Sequence, residues 1–268
     1  MNRLKAVVFD WAGTIVDFGS RAPMGAFVKV FAEFGISISI EEARGPMGTA
    51  KRDHISALIH APEIAARWVA AHGASPTEAD IDRIYEVFVP LNARVVTDFA
   101  DMIPGAVEVV AALRGMGLKI GSTTGYTREI MERLLPVAAA AGYAPDNLVC
   151  AGDLAQGRPS PLMMYRCFAD LGVYPPHSVV KVDDTEPGIA EGLAAGCWTV
   201  GVAVSGNAFG LARSEAEGLP ADAFAERRAR AYATLKAAGA HVVIDSVADL
   251  LPVVMDFEGR LGDGGKPG

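Results

Sequence analysis

Short apolar runs rich in valine and isoleucine recur along the chain and alternate with segments of helical periodicity. The runs are LKAVVF (4–9), LKIGST (118–123), NLVCA (147–151), SVVKV (178–182), WTVGVAV (198–204) and HVVI (241–244). Apolar strands that alternate with helices are typical of a parallel sheet covered by helices on both faces. The pattern therefore predicts an α/β fold.

The interval from Arg21 to about Phe99 interrupts this alternation. It offers helical segments and no convincing strand, namely GAFVKVFAEFG (25–35), AKRDHISALIH (50–60) and TEADIDRIYEVF (77–88). A proline–glycine pair in DMIPGAVEVV (101–110) then marks a helix start and the return of the sheet pattern. The chain is predicted to comprise a sheet domain (1–20 and 100–257), a helical insertion (21–99) and a flexible C-terminal end (258–268).

Composition narrows the functional classes. Of the 268 residues, 51% are hydrophobic and 21% are charged, as in a soluble globular protein. A net charge of −8 argues against a nucleic-acid partner, because binding to the phosphate backbone needs concentrated lysine and arginine. The three cysteines are widely spaced in apolar segments, which favours reduced, packed thiols. Neither a leader-like pattern nor a long uncharged apolar window occurs, so the sequence predicts a cytoplasmic protein without a membrane partner.

Polar side chains follow several of the apolar runs. Asp10, Thr124, Asp183 and Asp184 each come just after a predicted strand. In parallel sheets, ligands bind outside the carboxyl ends of the strands. We therefore expect these four residues to lie at one edge of the sheet.

The first two of these positions allow two interpretations each. Asp10, followed by WAGTIVD, is either a nucleophile beside an anion held by the N–H groups of Gly13 and Thr14, or a turn or helix-capping aspartate. Thr124 and Gly125, before the next predicted helix, form either an anion site or an ordinary threonine cap.

Two further segments are equally ambiguous. Arg158 precedes a proline near a helix start, where a guanidinium binds either a phosphate or a surface carboxylate. Asp183 and Asp184 end a strand. Their hard carboxylate oxygens suit a Mg²⁺ ion that also touches a phosphate, but they also suit a solvated acidic turn.

Together and in this order, the four segments resemble the motifs of the haloacid dehalogenase superfamily. The resemblance implies an α/β fold with a Rossmann-like parallel-sheet core and an inserted helical cap domain. It assigns the nucleophile to Asp10 and phosphoryl binding to Thr124 and Arg158. It also implies a Mg²⁺ cofactor bound by Asp10, Asp184 and the backbone carbonyl of Ala12.

Two positions depart from the usual pattern of that superfamily. Its phosphatases and mutases usually have a second aspartate two residues after the nucleophile, which protonates a leaving oxygen; this chain has Ala12 there. A second acid often follows the last-motif aspartate by four residues, where this chain has Gly188. The adjacent Asp183 is predicted to replace it as a metal ligand, directly or through a water. For the missing aspartate at position 12 there are two explanations: either the leaving group needs no proton donor, or another group of the protein activates it.

The helical insertion contains two residues that could supply this activation. In EEARGPMGTAKRDHISAL (41–58), Lys51 and His54 are three residues apart and would share a helix face, with Met47 close by. On spacing alone, a solvated helix lysine and a partly buried structural histidine are the simpler interpretations.

A narrower resemblance covers both the sheet domain and the insertion. The segments FDWAGTIVDFGSRAP (9–23), EEARGPMGTAKRDH (41–54), IGSTTGYTRE (120–129), GRPSP (157–161) and KVDDTEPGI (181–189) resemble the phosphonoacetaldehyde hydrolase family, also called phosphonatases. The resemblance implies that Lys51 forms a Schiff base with the substrate aldehyde. It places Met47 and Tyr126 in the lining of the site, makes His54 a candidate proton relay and gives Ser20 a minor role near the cap hinge. It also implies a homodimer formed through the cap.

The implied chemistry explains the lysine. Attack on phosphorus would expel a carbanion, whereas an iminium on Lys51 accepts those electrons as an enamine. Asp10 would become an aspartyl phosphate, and the products would be acetaldehyde and phosphate, in the degradation of 2-aminoethylphosphonate. Lys51 must be neutral to react, so burial, Mg²⁺ and Arg158 are expected to lower its pKa to roughly 7 to 8.

Other classes of protein stay open from the sequence. A sugar-phosphate phosphatase or phosphomutase on the same fold would need an acid at position 12. A Schiff-base aldolase or lyase would use Lys51 and leave Asp10 and Arg158 without a function. A receiver-like signalling domain also phosphorylates an aspartate at a strand end, but such domains are much shorter and carry no helical insertion.

Overall fold

The computed structural model describes residues 3–267 and centres on a parallel sheet. The strand order is β3-β2-β1-β4-β5-β6. The six predicted strands are all present, as β1 Ala6–Phe9, β2 Lys119–Thr127, β3 Val149–Ala151, β4 Val179–Asp183, β5 Trp198–Val202 and β6 Val242–Ile244. The chain adds strands towards one edge of the sheet from β1 to β3 and towards the opposite edge from β4 to β6, so the direction reverses between β1 and β4. Open α/β sheets form a ligand crevice at such a reversal.

Helices cover both faces of the sheet, because successive strand residues point to opposite sides. In β1, Val7 and Phe9 join one apolar cluster, while Ala6 and Val8 join another. The covering helices are α6 Ala106–Gly115, α7 Arg128–Ala140, α8 Leu162–Leu171, α9 Glu186–Ala194, α10 Arg213–Glu217, α11 Ala221–Ala237 and α12 Leu250–Gly262.

The helical insertion consists of α1 Ala22–Glu33, α2 Ile40–Arg44, α3 Lys51–His60, α4 Pro62–His72 and α5 Glu78–Val95. Its apolar side chains between residues 24 and 91 form a cluster of their own. Local sequence fixes two helix starts. Ser39 caps α2 in a capping box with Glu42, and Thr77 caps α5 in the same way with Asp80.

The two domains are continuous at the end of α5. Ala93 belongs to the apolar cluster of the sheet domain, as does Val96 in the short 3₁₀ helix Val96–Phe99 that follows. The long helix therefore spans the boundary between the two cores, and its last turn helps to anchor the insertion.

The prediction of a flexible end from residue 258 is wrong for residues 258–262, which complete α12. The side chain of Glu258 accepts hydrogen bonds from the backbone N–H groups of Arg3 at 2.7 Å and Leu4 at 2.8 Å. Phe257 stacks on Trp198 with 4.5 Å between the ring centroids. Polar residues in this segment form the exposed face of an amphipathic helix, which a composition-based interpretation does not distinguish from a frayed end.

The segment that leads from β1 into α1 contains four residues in the left-handed region, with φ of 82° at Gly13, 59° at Asp17, 86° at Gly19 and 51° at Ser20. The carboxylate of Asp17 accepts the backbone N–H of Ala22 at 2.8 Å and so begins α1. A Cβ on Gly19 would lie 2.2 Å from the carbonyl oxygen of Leu211, so only glycine allows this close approach.

Two further expectations concern the whole chain. Cys150, Cys167 and Cys197 are buried and free, as their apolar surroundings in the sequence predicted. Within residues 3–267, none of the helices combines the length and the apolarity that a membrane span requires.

Candidate active site

Four of the predicted site residues meet at the carboxyl edge of the sheet. Asp10 follows β1, Thr124 lies in β2, Asp183 ends β4 and Asp184 follows it. All four are buried. They surround the crevice between β1 and β4, where the strand order reverses, as the rule for parallel sheets predicts.

Three carboxylates form a compact cluster in this crevice. One oxygen from each of Asp10, Asp183 and Asp184 lies within 4.8 Å of the others. Burial and the charge of Asp183 raise the pKa of Asp10 to about 6. Burial, Asp10 and Asp183 raise the pKa of Asp184 well above its ordinary value. Burial also opposes the ionisation of Asp183, but Arg158 and Lys181 outweigh it and lower the pKa of Asp183.

Arg158 is buried at the centre of this cluster, which excludes the interpretation as a surface ion pair. Its Nη2 lies 2.8 Å from Asp10 Oδ1 and 3.2 Å from Asp183 Oδ2. Nη2 also donates to the carbonyl oxygen of Thr123 at 2.8 Å, and Nε donates to Glu191 Oε2 at 3.1 Å. These contacts fix the guanidinium beside the carboxylate of Asp10.

Lys181 is a second buried cation, and the sequence-based set of site residues did not include it. Its Nζ lies 2.6 Å from Thr123 Oγ1, 3.0 Å from Asp183 Oδ2 and 3.3 Å from Glu191 Oε2. The signal available in the sequence is a lysine inside the apolar strand SVVKV, because lysine is almost never fully buried without a partner. Lys181 and Glu191 therefore pair with each other, and they also pair with Asp183 and Arg158 of the cluster respectively.

Asp183 occupies the space that a side chain at position 188 would need. A Cβ on Gly188 would lie 2.0 Å from Asp183 Cγ. The backbone N–H and the hydroxyl of Thr185 donate to Asp183 Oδ1 at 3.0 and 2.7 Å, and Oδ2 faces Lys181 and Arg158. The carboxylate of Asp183 and a side chain at position 188 are thus mutually exclusive in this arrangement.

The remaining oxygens fit a hard divalent cation. Asp184 Oδ1 is buried and has no hydrogen-bond partner among residues 3–267. The chain after Asp10 passes very close to this carboxylate, because a Cβ on Gly13 would lie only 2.1 Å from Asp184 Oδ2. Carboxylate and carbonyl oxygens are the ligands that Mg²⁺ prefers. Of the three carboxylates, Asp10 and Asp184 are the donors best suited to it, since Oδ1 of Asp183 accepts two hydrogen bonds from Thr185 and its Oδ2 lies in ion-pair contact with Lys181 and Arg158.

The N–H groups of Gly13 and Thr14 do not face the crevice as an anion site would require. The N–H of Gly13 donates to the carbonyl oxygen of Val16 at 2.7 Å, and that of Thr14 donates to the carbonyl oxygen of Trp11 at 3.2 Å. These hydrogen bonds close the turn after β1. Both N–H groups are therefore already bonded within the turn, which argues against the interpretation of Gly13 and Thr14 as an anion site.

Two glycines let the insertion lie directly against the sheet domain. A Cβ on Gly125 would lie 2.7 Å from the carbonyl oxygen of Thr49. Gly48 has a φ of 91°, and its Cβ would lie 2.2 Å from Thr185 Oγ1. Arg158 Nη1 also donates to the carbonyl oxygen of Gly48 at 3.4 Å. The loop before α3 is thereby held over the carboxylate cluster.

Lys51 begins α3 and is only 3% exposed, which excludes the interpretation as a solvated lysine. Its Nζ lies 4.0 Å from Met47 Sδ and 5.2 Å from the ring centroid of Tyr126. Burial lowers its pKa to about 8; Asp10 opposes this shift and Arg158 adds to it. The positive end of the α3 dipole also disfavours the protonated amine. The shift has the predicted direction.

His54 lies in the core of the insertion. Its ring stacks on Phe27 at a centroid distance of 4.0 Å, and its Nε2 bonds the carbonyl oxygen of Ala43 at 2.8 Å. Burial and the charge of Lys51 lower its pKa well below the ordinary value. The ring is therefore neutral, with its proton on Nε2, and Nδ1 has no hydrogen-bond partner within the described chain.

A small cavity between the two domains brings most of the predicted residues together. Its volume is about 20 Å³, roughly the room that one water molecule needs. Of the predicted residues, Asp183 and His54 lie outside its lining. The lining consists of Asp10, Ala12, Ser20, Pro23, Met47, Gly48, Lys51, Thr124, Gly125, Tyr126, Arg158, Asp184 and Thr185.

Comparison with known proteins identifies the family of this chain. A family model described as haloacid dehalogenase-like hydrolase matches residues 4–196. The phosphonoacetaldehyde hydrolase of Paraburkholderia xenovorans strain LB400 is 57% identical over 267 residues, which cover 100% of both chains. The enzyme of the same name from Klebsiella pneumoniae is 51% identical over 269 residues, again with 100% of both chains covered. The chain belongs to the phosphonoacetaldehyde hydrolase family.

Solved structures agree with membership of the phosphonoacetaldehyde hydrolase family. A phosphonoacetaldehyde hydrolase-like protein from Oleispira antarctica superposes with a TM-score of 0.97 at 44% identity, covering 99% of this chain and 96% of that one. The β-phosphoglucomutase of Clostridium difficile has a TM-score of 0.71 at 18% identity, covers 97% of this chain and 99% of that one, and shares the fold alone.

The exclusion between Asp183 and a side chain at position 188 predicts the effect of moving the carboxylate. Gly188→Asp should lower the free energy of unfolding by about 1–3 kcal/mol, because the new Cβ collides with a buried carboxylate. Asp183→Gly with Gly188→Asp should be more stable than Gly188→Asp alone. Urea unfolding measures the stability of the single and the double variant. Gly259→Asp on the open face of α12 is the matched control, because a Cβ at that position meets no other atom within 4 Å. A double variant no more stable than the single one would contradict the exclusion.

The opposite pKa shifts of two adjacent aspartates predict opposite effects of neutralising them. The raised pKa of Asp184 means that its ionisation reduces stability as the pH rises, so Asp184→Asn should raise the melting temperature in EDTA at pH 8. The lowered pKa of Asp183 means that its ionised form stabilises the fold, so Asp183→Asn should lower the melting temperature under the same conditions.

Thermal unfolding with added Mg²⁺ completes this test. The wild type should gain more stability from Mg²⁺ at pH 8 than at pH 5.5, because protons compete for Asp10 and Asp184 at the lower pH. Asp184→Asn should lose this gain. If Asp183→Asn and Asp184→Asn shift the melting temperature in EDTA in the same direction, this would contradict the charges assigned to Asp183 and Asp184.

Proposed function

We propose that this protein hydrolyses the carbon–phosphorus bond of phosphonoacetaldehyde to acetaldehyde and phosphate. The observation that carries the proposal is the position of Lys51, a buried amine of lowered pKa that shares a small cavity with Asp10 and Ala12. A phosphatase that releases an alcohol would need a proton donor at position 12. The names of the closely similar relatives support the same substrate.

Lys51 would react first, by adding to the aldehyde carbon. With a pKa of about 8, roughly a tenth of the amine is neutral at pH 7, compared with about 0.04% for an unperturbed lysine. Addition and loss of water would give an iminium between Nζ and the former carbonyl carbon. This positively charged group can then accept an electron pair.

Asp10 would next attack phosphorus. A bond forms between its carboxylate oxygen and phosphorus as the carbon–phosphorus bond breaks, and the released electron pair neutralises the iminium as an enamine. Because the leaving group is an enamine carbon, no acid is required at Ala12. Water would hydrolyse the aspartyl phosphate and restore Asp10. Protonation of the enamine carbon and hydrolysis of the resulting iminium would release acetaldehyde and restore Lys51.

The phosphonate group would be bound at the edge of the sheet. Arg158, which lies 2.8 Å from Asp10, and the hydroxyl of Thr124 would hold the phosphonate oxygens. Mg²⁺ bound by Asp10, Asp184 and the carbonyl of Ala12 would supply electrostatic stabilisation of the transferring phosphoryl group.

Asp183 would contribute without being a direct metal ligand. Its Oδ2 lies 3.0 Å from Lys181 Nζ and 3.2 Å from Arg158 Nη2. It would therefore hold Arg158 in the orientation that faces Asp10, while Lys181 balances its charge.

The insertion would act as a cap that carries Lys51 to the phosphonate. Met47 and the ring of Tyr126 pack around the amine and would shield the iminium from water. Ser20 lines the same cavity at the hinge. His54, whose ring packs on Phe27 outside the cavity lining and whose lowered pKa disfavours protonation, would support the start of α3 around Lys51 instead of relaying a proton. The aldehyde substrate would come from 2-aminoethylphosphonate by transamination.

A combined trapping and phosphate-release assay tests the proposal. Lys51→Arg should lower phosphate release from phosphonoacetaldehyde at least ~10³-fold and abolish covalent trapping with borohydride. Asp10→Asn should lose phosphate release to a similar degree and still be trapped, because iminium formation precedes attack on phosphorus. Phosphate release retained in Lys51→Arg would return the protein to the oxygen-ester phosphatases, and release retained in Asp10→Asn would favour a Schiff-base lyase.

The same assay has a pH dependence set by Lys51. Its amine is neutral above its pKa, so the rate of trapping in Asp10→Asn should rise with pH and level off above about 8. Mass spectrometry of the reduced protein measures this rate. A midpoint near ~10, the value for an ordinary lysine, would contradict a buried reactive amine.

We further propose a homodimer formed through the insertion. Ile40 on α2 is 49% exposed and Val69 on α4 is 42% exposed, and a dimer would cover such apolar side chains. Light scattering should report a dimer for the wild type and a smaller particle for the combined variant Ile40→Glu with Val69→Glu. A monomeric wild type would exclude this arrangement.

A further inference from the structure

The insertion touches the sheet domain at a second place, around Arg44 at the end of α2 and outside the lining of the cavity. Arg44 Nη1 donates to the carbonyl oxygen of Gly19 at 2.8 Å and to Asn207 Oδ1 at 3.0 Å. Nη2 donates to the carbonyl oxygen of Gly210 at 2.8 Å. Gly210 has a φ of 71°, and a Cβ there would lie 3.0 Å from Arg44 Cζ. These acceptors form a cradle fitted to one guanidinium.

Asn207 connects this cradle to the carboxylate cluster. Its side chain accepts the hydrogen bond from Arg44, and its backbone N–H donates to Asp184 Oδ2 at 2.7 Å. The preceding residue packs directly on the same aspartate, since a Cβ on Gly206 would lie 2.6 Å from Asp184 Cβ. One short loop therefore contacts both the insertion and Asp184.

We propose that Arg44 and Asn207 are positioning residues, which we call the Arg44–Asn207 clasp, and that they couple the seated insertion to the orientation of Asp184. The donor belongs to the insertion, whereas Asn207 and Gly210 belong to the sheet domain, so these hydrogen bonds exist only when the two domains are in contact. In that state Asn207 fixes Oδ2 of Asp184 and leaves Oδ1 for a cation. The proposal rests on the Mg²⁺ site of the proposed function.

Titration calorimetry with Mg²⁺ alone, without substrate, tests the clasp. Arg44→Met should weaken Mg²⁺ binding roughly 5- to 30-fold. Asn207→Ala keeps its backbone N–H but loses the contact with Arg44, so it should weaken binding to a similar degree. The double variant should bind no more weakly than Arg44→Met, because both substitutions break one link. Hydrogen exchange in residues 203–212 should speed up in Arg44→Met.

Two further variants separate the clasp from general effects of charge and folding. Arg67→Met removes the same charge from a half-buried arginine whose contacts, the Ser37 carbonyl and Glu42, lie within the insertion, so it should bind Mg²⁺ like the wild type. Arg44→Lys keeps the charge but replaces the planar guanidinium, which donates from two nitrogens, with a single ammonium that cannot match the same acceptors, so it should resemble Arg44→Met.

Each contrary outcome overturns the clasp. These outcomes are wild-type Mg²⁺ affinity in Arg44→Met, an equal loss in Arg67→Met, additive losses in the double variant, or a wild type that does not bind Mg²⁺. Phosphate release by the wild type is a separate readout. If Mg²⁺ binding weakens as expected but phosphonoacetaldehyde yields no phosphate, the clasp stands and the proposed substrate fails.

Discussion

The site depends on a balance of buried charge at the crevice between β1 and β4. Asp10, Asp183, Asp184 and Glu191 are buried there against two cations, Arg158 and Lys181. Asp183 and Glu191 share both cations, whereas Asp184 faces neither within ion-pairing distance in the described chain. The unbalanced negative charge is therefore concentrated where an oxygen-ligated divalent cation fits, and burial together with the charges of Asp10 and Asp183 raises the pKa of Asp184.

The same charge balance determines how the insertion contributes. Lys51 lies in the closed cavity at the positive end of α3, and burial lowers its pKa against the opposing field of Asp10. Lys51 is buried because the insertion approaches the sheet domain closely. Gly48 and Gly125 let the loop before α3 contact the sheet domain where any side chain would hold the two apart. The amine of Lys51 and the carboxylate of Asp10 can thus share a small space without forming an ion pair.

Two departures from the superfamily pattern, Ala12 and Gly188, each coincide with a particular feature of the structure. Ala12 lines the cavity without a group that could protonate a leaving oxygen, and Lys51, to which we assign the activation of the substrate in our proposal, lines the same cavity. Gly188 leaves room for the carboxylate of Asp183, which enters from the end of β4 instead of from α9. Because Asp183 contacts Arg158 and Lys181, its role is linked to the phosphate side of the site.

The sequence by itself determined the six strands, the insertion and the meeting of Asp10, Thr124 and Asp184, because apolar runs and their terminal polar residues are local signals. Tertiary structure decided the rest. Lys181 and Glu191 both bond the hydroxyl of Thr123 in β2, and Glu191 also pairs with Arg158. The side chain of Glu258 in α12 accepts hydrogen bonds from the backbone of residues 3 and 4 at the other end of the described chain. Burial and long-range pairing set these charges and contacts, and no single segment of sequence contains them.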